Sequence, residues 1–342
     1  MAHKNTPSAL ILVPLHRIHS AMSIVMWGST SEPGRPPFLR SRLGVKLRRM
    51  REAANLTLDE AASRLDKTRS ALHRIETGET KQNIHLVRSM MDVYDCPDAT
   101  LIDEVRKALK RPWHHAYGAQ NRYHVDAETE AAVVCDFSTL VVPELLQTEE
   151  YTLALLKDWD HPAPFDEVIV RRIRQQRLTA GKPSLRLIAV IDEMVLRRIV
   201  GGSETMRDQL QRLIDAAAIR TVALHVLPTA GQSPCTAMGP FTLMMLSDSA
   251  DPDLLHIDQL AGPLDLEDSQ KLADAHDVFK HLRSQALGEA ASIQLIERVL
   301  TENHRPSAVS TDAEPAPSSS HGDSADTASL RYSPATGTSE KP

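Results

Sequence analysis

Cysteine is scarce in this chain of 342 residues, and the three present, Cys96, Cys135 and Cys235, lie far apart without paired spacing. That excludes a dithiol redox motif and a cysteine-based zinc site, and it fits small buried thiols in a reducing cytoplasm. Long apolar runs are missing too. Ser8 to Leu15 follows Lys4, but Pro14, His16, Arg17 and His19 interrupt it, so no segment of signal-peptide length survives. Nothing approaches the roughly 20 apolar residues that span a bilayer. A cytoplasmic protein with no membrane partner is the expectation. Catalytic signatures are also lacking: no nucleophile beside a base, no phosphate-cradling glycine loop and no ligand cluster meets the geometric requirements. The sequence predicts no enzyme, no catalytic residue, no cofactor and no metal.

What is present divides in two. With 42% hydrophobic residues, the chain can build two domains of about 100–200 residues each. The net charge of −6 is unevenly distributed along the chain. Arg35 to Arg122 carries 18 Lys and Arg against 11 Asp and Glu, a net of +7, which leaves −13 for the remainder. A basic module joined to an acidic one fits a DNA reader fused to a part with another task.

The linker over 29–37 holds Pro33, Gly34, Pro36 and Pro37. Residues 1–37 are expected to be a disordered or misassigned extension, with Met22 and Met26 as later starts. Apolar residues then recur at helical spacing at Leu43, Leu47 and Met50, and Asn55 ends that helix. Thr57 with Glu60 makes a capping box for a second helix, which buries Leu58, Ala61, Ala62 and Leu65. Asp66 suits a left-handed turn. A third helix spans about 68–75 and stops before Gly78, a residue suited to a left-handed cap. Further helices over 84–94 and 99–109 complete a five-helix module, taken as 38–112. Beyond Pro112, short apolar runs at 131–137, 185–191, 220–227, 241–246 and 254–260 read as strands. Helical segments at 150–159, 165–180, 204–217 and 267–287 alternate with them, which makes 113–302 an α+β domain. The Ser-, Thr-, Ala-, Pro- and Asp-rich tail over 303–342 cannot bury enough surface to order itself.

Lys67 to Gly78, KTRSALHRIETG, carries the most information. Its apolar seam, Leu72 and Ile75, is flanked by polar and cationic residues, as a helix needs when it must pack on its own domain and lie in a major groove. Leu43 to Gly78 resembles the helix-turn-helix of phage repressors and their bacterial relatives, the XRE family. Small Ala62 at a helix crossing, core Leu65, Leu72 and Ile75, and the closing Ile75–Gly78 carry the likeness. The resemblance implies that Thr68, Arg69 and Ser70 open the recognition helix, with His73 and Arg74 one turn on. Arg69 is the first choice for base reading, since a bidentate pair to guanine is worth about 1–3 kcal/mol of discrimination. Lys67, Ser70 and the amides near Thr68 suit phosphates, and Arg74 fits a surface ion pair equally well. The family also pairs the glutamate at Glu76 with an arginine of the first helix, here Arg51. Leu58 departs from the polar residue that often opens the second helix, which takes away a phosphate contact or transfers it to Thr57. Double-stranded DNA is the implied partner, bound by a homodimer.

The second domain also looks familiar. VPELLQTEEY over 142–151, RRIRQQRL over 171–178, IDEMVLRRIVGG over 191–202, MRDQLQRL over 206–213, HVLP over 225–228 and GPF over 239–241 resemble the C-terminal domain of actinomycete regulators of the WhiJ-type group, antitoxin-like in its genetic arrangement. Glu144 departs from the glycine common there, so the loop is expected to bend differently. The likeness implies a domain that senses a ligand or binds a partner, often a small protein from a neighbouring gene. Arg171, Arg172, Arg174 and Arg177 are candidate holders of an acidic partner or anion, with a solvated, salt-bridged helix face as the favoured alternative. Asp192 and Glu193 read as a helix cap. His225, His256 and Asp258 fall short of a metal site, because only His256 and Asp258 share a strand face.

Overall fold

The computed structural model describes residues 36–118, 122–158, 161–179, 184–230, 239–247, 251–259 and 262–302. Expectations for the N-terminal extension before 36, for Cys235 and for the tail from 303 lie outside the described residues.

Local chemistry sets each boundary of the N-terminal helices. Helix α1 (Phe38–Ala53) runs to Asn55, whose φ of 57° turns the chain into the left-handed region. Helix α2 (Leu58–Arg64) starts on the Thr57–Glu60 capping box. Asp66, at φ 53°, bends the chain into α3 (Arg69–Glu76), capped by the Thr68 hydroxyl on the Ala71 amide at 3.1 Å. Helices α4 (Ile84–Val93) and α5 (Leu101–Leu109) close the bundle. Leu43 and Leu47 of α1, Ala61 and Ala62 of α2, Leu72 and Ile75 of α3, and Val87, Met90, Leu101 and Val105 share one apolar core.

A short helix, α6 (Tyr123–Glu130), leads into a six-stranded sheet of β1 (Ala131–Ser138), β2 (Arg186–Asp192), β3 (Val222–Leu227), β4 (Phe241–Leu246), β5 (Leu254–Ile257) and β6 (Leu264–Leu266). Its order is β3-β2-β1-β4-β5-β6. The β1–β3 half is parallel and the β4–β6 half antiparallel. Parallel neighbours need crossovers. Helices α7 (Glu149–Asp158) and α8 (Pro164–Gln176) supply one, and α9 (Glu193–Arg197) and α10 (Ser203–Ala217) the other; α11 (Ser269–Gln285) and α12 (Glu289–Glu302) follow the sheet.

Along β2, Leu187, Ala189 and Ile191 enter the core beneath α10 and α12, whereas Ile188 and Val190 enter the core beneath α11. Both faces of that strand are therefore covered, and this is why it reads as an unbroken apolar run. The N-terminal bundle and this domain belong to one compact unit. Phe38 of α1 packs in the larger core, edge-on to Tyr123 of α6 with ring centroids 5.2 Å apart.

Candidate functional site

The helix-turn-helix is built from the inside outward. Leu72, Ile75 and Glu76 are buried, and Lys67, Thr68, Arg69, Ser70, His73 and Arg74 are all exposed, so α3 presents one continuous polar and cationic face. Two ion pairs on that face are solvated: Arg69 lies 3.7 Å from Asp59, and Arg74 lies 3.3 Å from Glu79. Exposed pairs of this kind are worth under about 1 kcal/mol, little enough to exchange for DNA contacts. The Thr68 hydroxyl is occupied by the cap.

Beneath that face, Arg51 and Glu76 are joined twice, Nε to Oε1 at 2.7 Å and Nη2 to Oε2 at 2.9 Å, and Arg51 also donates to the Leu56 carbonyl at 2.8 Å. The pair fixes α3 to α1. The sequence reading missed Gly44: a Cβ there would lie 2.5 Å from the Glu76 carbonyl oxygen, so α1 crosses the end of α3 closely enough to admit only glycine.

A second site lies beyond the carboxyl end of β1, the position where open α/β sheets commonly bind ligands. A cavity of ≈ 520 Å³ opens there between the β1 end, β4 and β5. One wall is a chain of alternating charges. Arg122 binds Glu167 (2.8 Å), Glu167 faces Arg171 (3.5 Å), Arg171 binds Glu144 (2.7 Å), and Arg174 binds both Glu144 (2.5 Å) and Glu128 (2.6 and 2.9 Å). Burial alone would raise the Glu144 carboxyl, but Arg171 and Arg174 hold it well below its usual range.

This corrects the solvated-face reading of the arginine cluster. Arg171 and Arg174 are buried, Arg177 donates to the backbone carbonyls of Glu128 and Ala131, and Arg172 stays exposed on Glu149 at 3.1 Å. Apart from Glu167, four residues before Arg171, their partners lie far away in sequence, so local spacing gave no sign of them. Glu144 opens a single 3-10 turn and sits between two of these arginines.

Across the cavity, His256 of β5 donates from Nδ1 to Asp265 of β6 at 2.7 Å, and its Nε2 lies 3.3 Å from Asp258. Burial would discharge this ring, but the two carboxylates override it and push its pKa up to about 10. His124 of α6 stacks on it with ring centroids 4.1 Å apart, and burial followed by the charge of His256 holds His124 well below its usual pKa. Asp136 of β1 also faces the cavity and accepts from Ser138 at 2.6 Å and Thr242 at 3.3 Å. Burial pushes its pKa up to about 6.

The sequence grouping of His225, His256 and Asp258 is split by the fold. His225 belongs to the far edge strand β3 and meets the Leu287 carbonyl at 3.0 Å. His124 and Asp265 take its place, brought in by elements that no short-range spacing connects. Asp192 caps α9 through the Met194 amide at 2.8 Å, and Glu193 pairs with Arg197 at 2.8 Å.

Comparison with protein families locates the same two parts. A model described as a helix-turn-helix domain matches residues 42–104, and one described as a domain of unknown function, DUF5753, matches residues 122–298, more than half of the chain. No curated protein matches, and no solved structure matches. No helix among the described residues is long and apolar enough to cross a membrane.

Proposed function

We propose that this chain, which belongs to the DUF5753 family, is a sequence-specific transcriptional regulator whose C-terminal domain takes up an effector in the cavity beyond β1. The observation that carries the DNA-binding part is the two-faced α3. Its apolar side is wholly engaged by the scaffold, and six polar or cationic residues from Lys67 to Arg74 face solvent on a basic module. Helices of this kind read base edges from their first turns, as dimers on pseudo-palindromes with half-sites about 10 base pairs apart. Homodimeric binding by an XRE-type, WhiJ-like regulator in the cytoplasm is part of the proposal. So is a binding rather than catalytic role for the second domain: the carboxylates of Asp192 and Glu193 are engaged in a helix cap and an ion pair.

The test is selection of duplexes from a random pool by the full chain, followed by sequencing. A two-fold-related motif is the expected result. Enrichment no better than random competitor at moderate salt overturns the reading.

An antitoxin-like protein that binds a small neighbouring-gene product and autoregulates its operon is the second reading. It is favoured by two exposed apolar side chains, Leu140 of the cavity lining and Ile199, which are 51% and 59% exposed; Arg198, next to Ile199 and also in the lining, donates to the Leu140 carbonyl at 2.7 Å. An adjacent short reading frame, toxic alone and neutralised by this chain, would decide for it. Loss of neutralisation in Leu140→Asp would place the contact.

A further inference from the structure

We propose that His124, His256 and Asp265 form a binding site for a divalent ion of the zinc class. The three residues come from three elements, α6, β5 and β6, and one donor atom of each lies within 4.8 Å of the other two. A tetrahedral ion with bonds of about 2.0–2.2 Å to nitrogen and oxygen separates its ligand atoms by roughly 3.3 Å, so modest side-chain rotation brings these donors onto one centre. Two imidazoles and one carboxylate suit zinc and its neighbours, whereas magnesium and calcium take oxygen shells. Three protein ligands leave a fourth position open, and all three of these residues line the cavity. Asp258, 3.3 Å from Nε2 of His256 and so at the ring nitrogen away from Asp265, is placed to orient that imidazole.

The rival occupant is a proton, with His256 as an imidazolium between Asp258 and Asp265. That arrangement uses His124 only as a ring stacked 4.1 Å from His256. A metal uses both rings.

Loading the ion draws α6 toward β5 and β6, and α6 and the residues just ahead of β5 both touch α1 of the helix-turn-helix. Tyr123, next to His124, packs on Phe38; Arg42 of α1 bonds to the Pro252 carbonyl and lies 3.6 Å from Asp251, just ahead of β5. An ion here therefore has a short mechanical path to the DNA-reading domain. That coupling rests on the regulator reading above; the site itself does not.

Chelator-treated full-length protein titrated with cobalt(II), then with zinc in competition, tests the site. One equivalent with the intense visible bands of a tetrahedral centre, displaced by zinc and lost in His124→Ala and His256→Ala, is expected. Asp258→Asn should weaken binding roughly 10–100-fold. No stoichiometric ion, or equal binding by His124→Ala, overturns the proposal. Should a variant fail to fold, X-ray absorption of the zinc-loaded parent decides: imidazole scattering supports the site, and its absence overturns it. DNA affinity of the parent with and without zinc is read separately. Zinc binding without a shift in affinity removes the coupling and keeps the site, and no DNA selection in either state strikes the regulator reading alone.

Discussion

Arg51 and Glu76 meet through two parallel hydrogen bonds, 2.7 and 2.9 Å long, with side chains only 9% and 3% exposed. A bidentate pair this well covered behaves differently from the surface pairs around it, because losing one partner leaves the other charge buried. Glu76→Gln is therefore expected to cost about 3–5 kcal/mol. Urea denaturation of the full chain, followed by helical circular dichroism, measures it. A loss below about 1 kcal/mol would place the pair with solvated ones.

Gly44 makes a sharper test, because two effects oppose each other. Alanine in a helix interior is favoured over glycine by about 1 kcal/mol. Its Cβ, however, would stand 2.5 Å from the Glu76 carbonyl oxygen and 2.8 Å from that of Ile75, both backbone atoms. Forced overpacking costs typically about 1–3 kcal/mol, so Gly44→Ala should destabilise the bundle despite the better propensity. A rise in its melting temperature would mean that α1 and α3 approach less closely than described.

Much of this module is legible in sequence because its information is local. Asn55 and Asp66 are short polar residues at left-handed turns, and the Thr57–Glu60 box spans three positions. The second domain is legible in its first five strands and four of its helices, less so elsewhere. Helix α6 escapes notice because Tyr123, Val125 and Ala127 alternate like a strand over just eight residues, yet all three are buried. β6 is three residues long, and α12, after a break of only three residues from α11, is not separated in sequence from the end of the predicted domain. The cavity is illegible for a further reason. Arg174 finds its carboxylates at Glu144 and Glu128, 30 and 46 positions away, and His256 meets His124 across most of the domain. Such meetings are fixed by topology, and one sequence carries no trace of them.

On DNA, Arg69 and Lys67 should separate two kinds of contact. Arg69→Ala is expected to reduce discrimination, by about 1–3 kcal/mol at the base it reads. Lys67→Ala should weaken all sequences alike and lower the slope of log affinity against log salt by about one unit. Titrations on the selected operator and a scrambled duplex at several salt concentrations measure both. If neither variant differs from the parent, α3 is not the reading helix.

Asp136 gives a pH dependence whose sign follows from its environment. Burial is the main cause that lifts its carboxyl to about 6, and the nearby Glu144 and Glu128 charges add to it against the hydrogen bonds from Ser138 and Thr242. An unfolded aspartate titrates at about 3.9. Between those values the folded state keeps a proton that the unfolded state releases. The stabilisation is complete below about 4 and fades as pH rises through about 6. Asp136→Asn removes this titration while keeping the polar shape of the site. The melting temperature of the parent minus that of the variant should fall steadily from about pH 4 to 7, with the variant the more stable above about 6. A flat difference across that range would show a carboxyl in contact with bulk water, and with it a cavity more open than the one its Ser138 and Thr242 bonds describe.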